Sequence, residues 1–171
     1  MPTTFIANFI GTASPATIKS LSATTHENDG KWLSSKVNFI DQQVAGVIKI
    51  EAPQANVDAI KKAFTGTDNL VCQFTDCDAS LHDKGKMFSV RFNSSDKAGI
   101  VNEITQVLDA QGISILDMDC HRVFVAGAGN GVSASLFTAE LALKLPASVT
   151  IDDVTRELES LSDDTRVVIE D

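Results

Sequence analysis

Cysteine, basic charge and long apolar runs are all scarce in this 171-residue chain. Its cysteines, Cys72, Cys77 and Cys120, are too unevenly spaced for a disulfide framework, which favours a reducing cytoplasm. No apolar run approaches the roughly 20 residues that span a bilayer. The start, Met1-Pro2-Thr3-Thr4-Phe5-Ile6, lacks the basic residues and apolar core of a signal peptide. Lys and Arg number 14 against 23 Asp and Glu, a net charge of −9. Residues 1–79 carry 6 basic and 8 acidic side chains; residues 80–171 carry 8 and 15. Neither part has the basic stripe that neutralises phosphates, which argues against direct nucleic-acid binding and against anionic membranes. Such acidity gives a soluble surface; docking on a basic partner is its functional alternative.

What is present is ordinary for a globular protein: 43% hydrophobic and 22% charged residues. The length suits one or two small domains. A unit of roughly 80 residues buries only about 60–65% of its unfolded surface, so two such units are expected to lean on each other or on a second subunit.

The chain repeats. At an offset of 83, Phe5, Ala7 and Phe9 fall on Phe88, Val90 and Phe92, and Ala16, Ile18, Leu21 and Leu33 fall on Gly99, Val101, Ile104 and Leu116. Later positions match at 97: Val57 on Val154, Phe64 on Leu161, Leu70 on Val167, Cys72 on Ile169. The difference of 14 residues predicts an insertion at the glycine-rich turn Ala126-Gly127-Ala128-Gly129-Asn130-Gly131.

Hydrophobic periodicity predicts strands over 4–11, 32–40, 43–51 and 69–75, with helices over 15–27 and 54–64. In the second half strands are predicted over 86–94, 113–126, 132–145 and 165–170, with helices over 98–111 and 151–162. Ser14-Pro15 reads as a cap followed by proline in the first helical turn. Gln42-Gln43 reads as a tight hairpin turn, and Thr150 with Asp153 as a capping box. Residues 78–85 read as a linker between domains at 1–78 and 86–171. The expected fold is α+β: two tandem ferredoxin-like βαββαβ domains, each an antiparallel four-stranded sheet with helices on one face. The other face needs cover, because Ile6, Ile10, Val44 and Val47 cannot all point to one side.

The most informative stretch is Asp96-Lys97-Ala98-Gly99-Ile100-Val101, between an alternating strand and an amphipathic helix. A glycine at the mouth of a helix lets a ligand or partner backbone approach, and the first N–H groups there can hold a carboxylate. Strand, turn and helix together resemble the opening of an ACT domain, a small regulatory module that often binds amino acids. The resemblance extends over nearly the whole chain, as two such domains in tandem. With Phe137-Thr138-Ala139-Glu140-Leu141-Ala142-Leu143 and then Leu145-Pro146-Ala147-Ser148, the chain is similar to the glycine cleavage system transcriptional repressor group.

That resemblance implies a non-enzymatic, cytoplasmic regulator without cofactor or metal. It would sense a small amino acid, glycine or serine, and restrain a LysR-type transcriptional activator by protein contact, as a homodimer. The ligand residues it implies are Ser94, Asp96, Lys97, Gly99 and Ile100 at the turn and Ser114 on the following strand. Asp96 would accept from an ammonium group, and N–H groups near Gly99 and Ile100 would donate to a carboxylate. The plainer alternative has Asp96 capping its helix and Gly99 permitting close packing. In the first half the matching loop reads Gly11-Thr12-Ala13-Ser14-Pro15-Ala16-Thr17-Ile18, where the group's acidic residue, basic residue and glycine are missing. An interaction module that no longer binds an amino acid is therefore the second reading. An acylphosphatase-like enzyme is the third, but neither turn supplies the Arg and Asn around a phosphate loop.

Other chemistry finds little support. Cys72, Cys77 and His82 lack zinc spacing and a fourth ligand, and Cys72 alternates with Leu70 and Phe74 as a core position. Cys120 and His121 are strand neighbours and point to opposite faces. Asp117 and Asp119 share one face, as a paired-carboxylate or cation site or as a solvated face. The glycine-rich turn lacks the lysine of a phosphate loop and reads as a long hairpin. His26 reads as an exposed helix end.

Overall fold

The computed structural model describes residues 1–77, 85–127, 131 and 134–170. The chain divides into two compact units, Met1–His82 and Asp83–Asp171. The first runs β1 (Pro2–Thr12), α1 (Pro15–Glu27), β2 (Lys31–Ile40), β3 (Gln43–Pro53), a 3-10 turn (Gln54–Asn56), α2 (Val57–Thr65) and β4 (Leu70–Asp76). The second runs β5 (Lys86–Ser95), α3 (Ile100–Ala110), β6 (Ser114–Val125), β7 (Ala134–Leu145), α4 (Ile151–Glu159) and β8 (Arg166–Glu170). The sheet orders are β2-β3-β1-β4 and β6-β7-β5-β8, with every pairing antiparallel. Both units thus have the expected ferredoxin-like βαββαβ fold.

Strand alternation builds each core. Phe5, Ala7 and Phe9 of β1 and Ile48, Ile50 and Ala52 of β3 bury against Leu21 of α1 and Ile60 and Phe64 of α2. In the second unit Val90 and Phe92 pack with Phe137, Ala139, Leu141 and Leu143 under Ile100, Ile104 and Leu108 of α3 and Val154 and Leu158 of α4. Burying such side chains contributes about 1.5–3 kcal/mol each. Gly46 has a steric role: a Cβ there would lie 2.1 Å from the Phe9 ring. Ile10 and Val47 are exposed whereas Val44 is buried, so these apolar positions divide between the faces as the alternation required.

The register corrects the sequence reading in several places. Phe9 pairs with Gly46 and Cys72, and Phe92 pairs with Ala139 and Val167. Cys72 therefore corresponds to Val167, and Phe64 to Leu158; the offset of 97 slips the last strand by two residues and the last helix by three. Short apolar strands and helices match themselves again after one side-chain period, which is why the slip looked acceptable. The insertion falls where expected but adds ten residues there rather than 14, since Val37 and Cys120 correspond at an offset of 83 and Gly46 and Ala139 at 93. The first hairpin closes at Ile40↔Gln43, whereas β6 and β7 continue past Val123↔Leu136 to Val125↔Ala134. Residues 128–130 of the glycine-rich turn, 132–133 at the start of the predicted strand over 132–145, and 78–84 of the predicted linker lie outside the described residues. The first hairpin turns at Asp41-Gln42, one residue earlier than predicted, with Asp41 taking the left-handed conformation at φ 54°. Ser14 precedes α1 without a side-chain capping bond. The Thr150–Asp153 capping box is complete: Asp153 N donates to Thr150 Oγ1 at 3.2 Å and Thr150 N to Asp153 Oδ2 at 3.4 Å. α3 begins at Ile100, two residues later than predicted, because Gly99 is left-handed.

Candidate functional site

The β5–α3 turn of the second unit is held from three sides. Asp96 N donates to Ser135 O at 3.0 Å, tying the turn to the extended β6–β7 hairpin. The Asp96 carboxylate accepts from Arg122 Nε at 2.9 Å (Oδ1) and 3.1 Å (Oδ2), and from Ser135 Oγ at 3.1 Å. The Arg122 guanidinium lies 5.7 Å from the centre of the Phe137 ring, a cation–π distance. Lys97 Nζ pairs with Glu103 Oε2 at 2.7 Å and reaches Leu161 O at 3.4 Å. Asp96 thus secures a hairpin rather than its helix: the residue preceding α3 is Gly99, which offers no side-chain cap.

Gly99 has φ 81°, a conformation that disfavours any side chain, yet a Cβ there would meet nothing within 4 Å among the described residues. Close packing does not explain this glycine; backbone geometry does. Open space and uncapped N–H groups lie together at the start of α3. Ser94 is buried on the helix side of β5, and its Oγ donates to Ser95 O at 3.1 Å. Ile100 is fully buried and anchors the helix start in the core.

Ser114 is not brought to this turn. It pairs with Lys144, level with Met87, whereas the turn follows Ser95, level with Leu136. Eight strand positions at about 3.4 Å each separate them by about 27 Å.

The structure adds residues that the sequence did not single out. Arg122 and Ser135 hold Asp96, and Asp164, from the α4–β8 connection, accepts from Ser95 N at 3.1 Å, from Ser95 Oγ, and from Ser162 Oγ at 2.6 Å. These bonds, that from Ser162 foremost, hold the Asp164 carboxyl down at about 2. Asn93, Ser95, Val123, Leu136, Thr138 and Asp164 line a cavity of about 440 Å³ beside the turn. Among the described residues the first unit has no equivalent of the Asp96 arrangement, because Ala13 and Phe39 stand where Asp96 and Arg122 do.

The remaining candidates fall to ordinary roles. Cys72 packs against the first core, its Sγ donating to Phe64 O at 3.3 Å, and burial raises its thiol pKa. His82 lies outside the described residues. Cys120 packs toward the second core while His121 faces the other way and pairs with Asp119 at 2.8 Å. Asp119 is thus engaged with histidine on the open face. Among the described residues no three His, Cys, Asp or Glu side chains are grouped to hold a metal ion. No helix among them is long and apolar enough to cross a membrane.

Two units of this fold, with a built strand–helix turn in the second, define a tandem ferredoxin-like βαββαβ architecture. Comparison with solved structures agrees at the level of fold. An unknown protein from Galdieria sulphuraria superposes with a TM-score of 0.80 at 15% identity, over 99% of this chain and 98% of that one. A protein assigned as a glycine cleavage system transcriptional repressor superposes with a TM-score of 0.67 at 11% identity, over 99% and 98%. No protein-family model and no curated protein matches the sequence.

Proposed function

We propose that this chain is a non-enzymatic, amino-acid-responsive regulator. Its ligand is a small amino acid, glycine or serine first, held at the β5–α3 turn by Ser94, Asp96, Lys97, Gly99 and Ile100. Ser114 belongs to the site only if a second copy supplies it. The regulatory output is protein contact with a transcription factor of the LysR type, in the manner of the glycine cleavage repressor group, with the chain acting as a homodimer and not on DNA. The observation that carries this reading is Gly99: left-handed, with open space above it and an uncapped helix start beside it. The net charge of −9 supports protein contact over nucleic acid.

Calorimetric titration with glycine, serine and the branched-chain and aromatic amino acids tests it. Saturable binding that Gly99→Leu abolishes supports the reading; silence from folded protein overturns it. One observation favours the second reading, an interaction module without ligand: Arg122 and Ser135 already occupy both oxygens of Asp96. Silence across the panel combined with capture of a transcription factor would establish that alternative.

A further inference from the structure

Two carboxylates flank the β5–α3 turn, and they differ in what compensates them. Asp96 is bound by a guanidinium and is mostly covered, its side chain 19% exposed. Asp164 is exposed and ionised, and its bonds come from neutral donors only: Ser95 N, Ser95 Oγ and Ser162 Oγ. No cation pairs with it among the described residues.

The first unit shows that the fold does not require this charge. By register, Thr12 corresponds to Ser95 and Asn69 to Asp164. There Thr12 N donates to the backbone O of Asn69 at 3.1 Å, and the approach is so close that Gly11 is required: a Cβ would lie 1.8 Å from that oxygen. In the second unit a carboxylate side chain accepts the equivalent N–H, and Ser94 replaces the glycine. The strand end is satisfied in both; only the second carries a negative charge there.

That charge faces a cavity with the other features of a small-molecule site. Val123 and Leu136, each nearly half exposed, form an apolar wall. Asn93 Oδ1 accepts from Thr138 Oγ1 at 2.9 Å, which orients the amide so that its Nδ2 donor is left for a ligand. We infer that this cavity binds an α-amino acid with a short side chain, its ammonium on Asp164, its carboxylate on Asn93 Nδ2 and its side chain against Val123 and Leu136. The inference rests on the amino-acid reading above for the ligand class and moves the ammonium contact from Asp96 to Asp164.

The test is calorimetry of the full chain with glycine, L-alanine and L-serine, and with glycolate and L-lactate, which lack the ammonium. The wild type is expected to bind at least one of the amino acids and neither hydroxy acid. Asp164→Asn should weaken that binding about tenfold or more, the loss of one charge-assisted contact, and Asp164→Glu should restore part of it. Because Asp164→Asn could disturb the strand end, Leu136→Lys serves as a second variant. It sits on the exposed face of β7 and places its own ammonium in the cavity, and it should abolish binding without lowering the melting temperature. Wild-type affinity in both Asp164→Asn and Leu136→Lys would overturn the inference. If Gly99→Leu still abolished binding, the turn reading would stand alone. A wild type that binds none of the three amino acids would overturn this inference, and silence across the wider panel above would overturn the turn reading as well.

Discussion

Arg122 Nε sits between the two oxygens of Asp96, at 2.9 and 3.1 Å, so that a side chain from the edge strand β6 fixes the turn entering α3. The pair is half covered, with side-chain exposures of 49% and 19%. Arg122→Ala would leave the Asp96 carboxylate with only Ser135. A destabilisation of about 1 kcal/mol is expected, near the upper end for partly exposed ion pairs. Urea denaturation of Arg122→Ala, Asp96→Ala and the double variant checks it. A double variant no less stable than either single one shows coupling; strict additivity removes it.

Two glycines separate two physical causes. Gly99 is left-handed in open space, whereas Gly11 lies against the Asn69 carbonyl. Gly99→Ala should therefore cost only the conformational penalty, about 1–2 kcal/mol. Gly11→Ala adds a clash with backbone that cannot rotate away, and should cost about 3 kcal/mol or more. Denaturant midpoints of the two variants give the comparison, and equal losses would contradict it.

The sequence made the frame legible because alternating apolar residues such as Phe88, Val90 and Phe92 have one stable arrangement, with one face in the core. Helix and strand types followed, as did the hairpin insertion and the Thr150–Asp153 cap. The candidate site was legible only in part. Asp96, Lys97 and Gly99 lie within one short stretch and announce a turn, but Arg122 and Ser135, which hold Asp96, and Asp164, which holds Ser95, come from three distant elements. Which residues meet them depends on strand register, and register is set by pairing across the sheet. Ser114 shows the converse: its place in sequence order suggested the site, but β6 starts at the far end of the sheet from the turn.

The cysteines give a chemical check on the packing. Burial raises the thiol pKa of Cys72, and burial with the Asp119 charge raises that of Cys120. Less thiolate at pH 8 means slower alkylation. Both should react with iodoacetamide more slowly than glutathione does, as followed by peptide mass spectrometry. Labelling of either at or above the glutathione rate would show that its environment is more open than the core contacts imply.

Asp164 provides the pH-dependent test. Its carboxyl is held at about 2, below the ordinary 3.8, chiefly by the Ser162 hydroxyl and then by Ser95. A depressed carboxylate pKa stabilises the fold above the ordinary value, and that contribution is lost as pH falls toward 2. The second unit should therefore lose part of its resistance to unfolding between about pH 4 and pH 2 through this residue. Ser162→Ala removes the leading bond while leaving both Ser95 donors, so the titration midpoint should rise toward the ordinary value without reaching it. Carbon-detected NMR of the Asp164 side chain during acid titration reads this directly. A midpoint that Ser162→Ala leaves in place would assign the shift to Ser95 alone, and would mean that the α4–β8 connection does not preset the carboxylate facing the cavity.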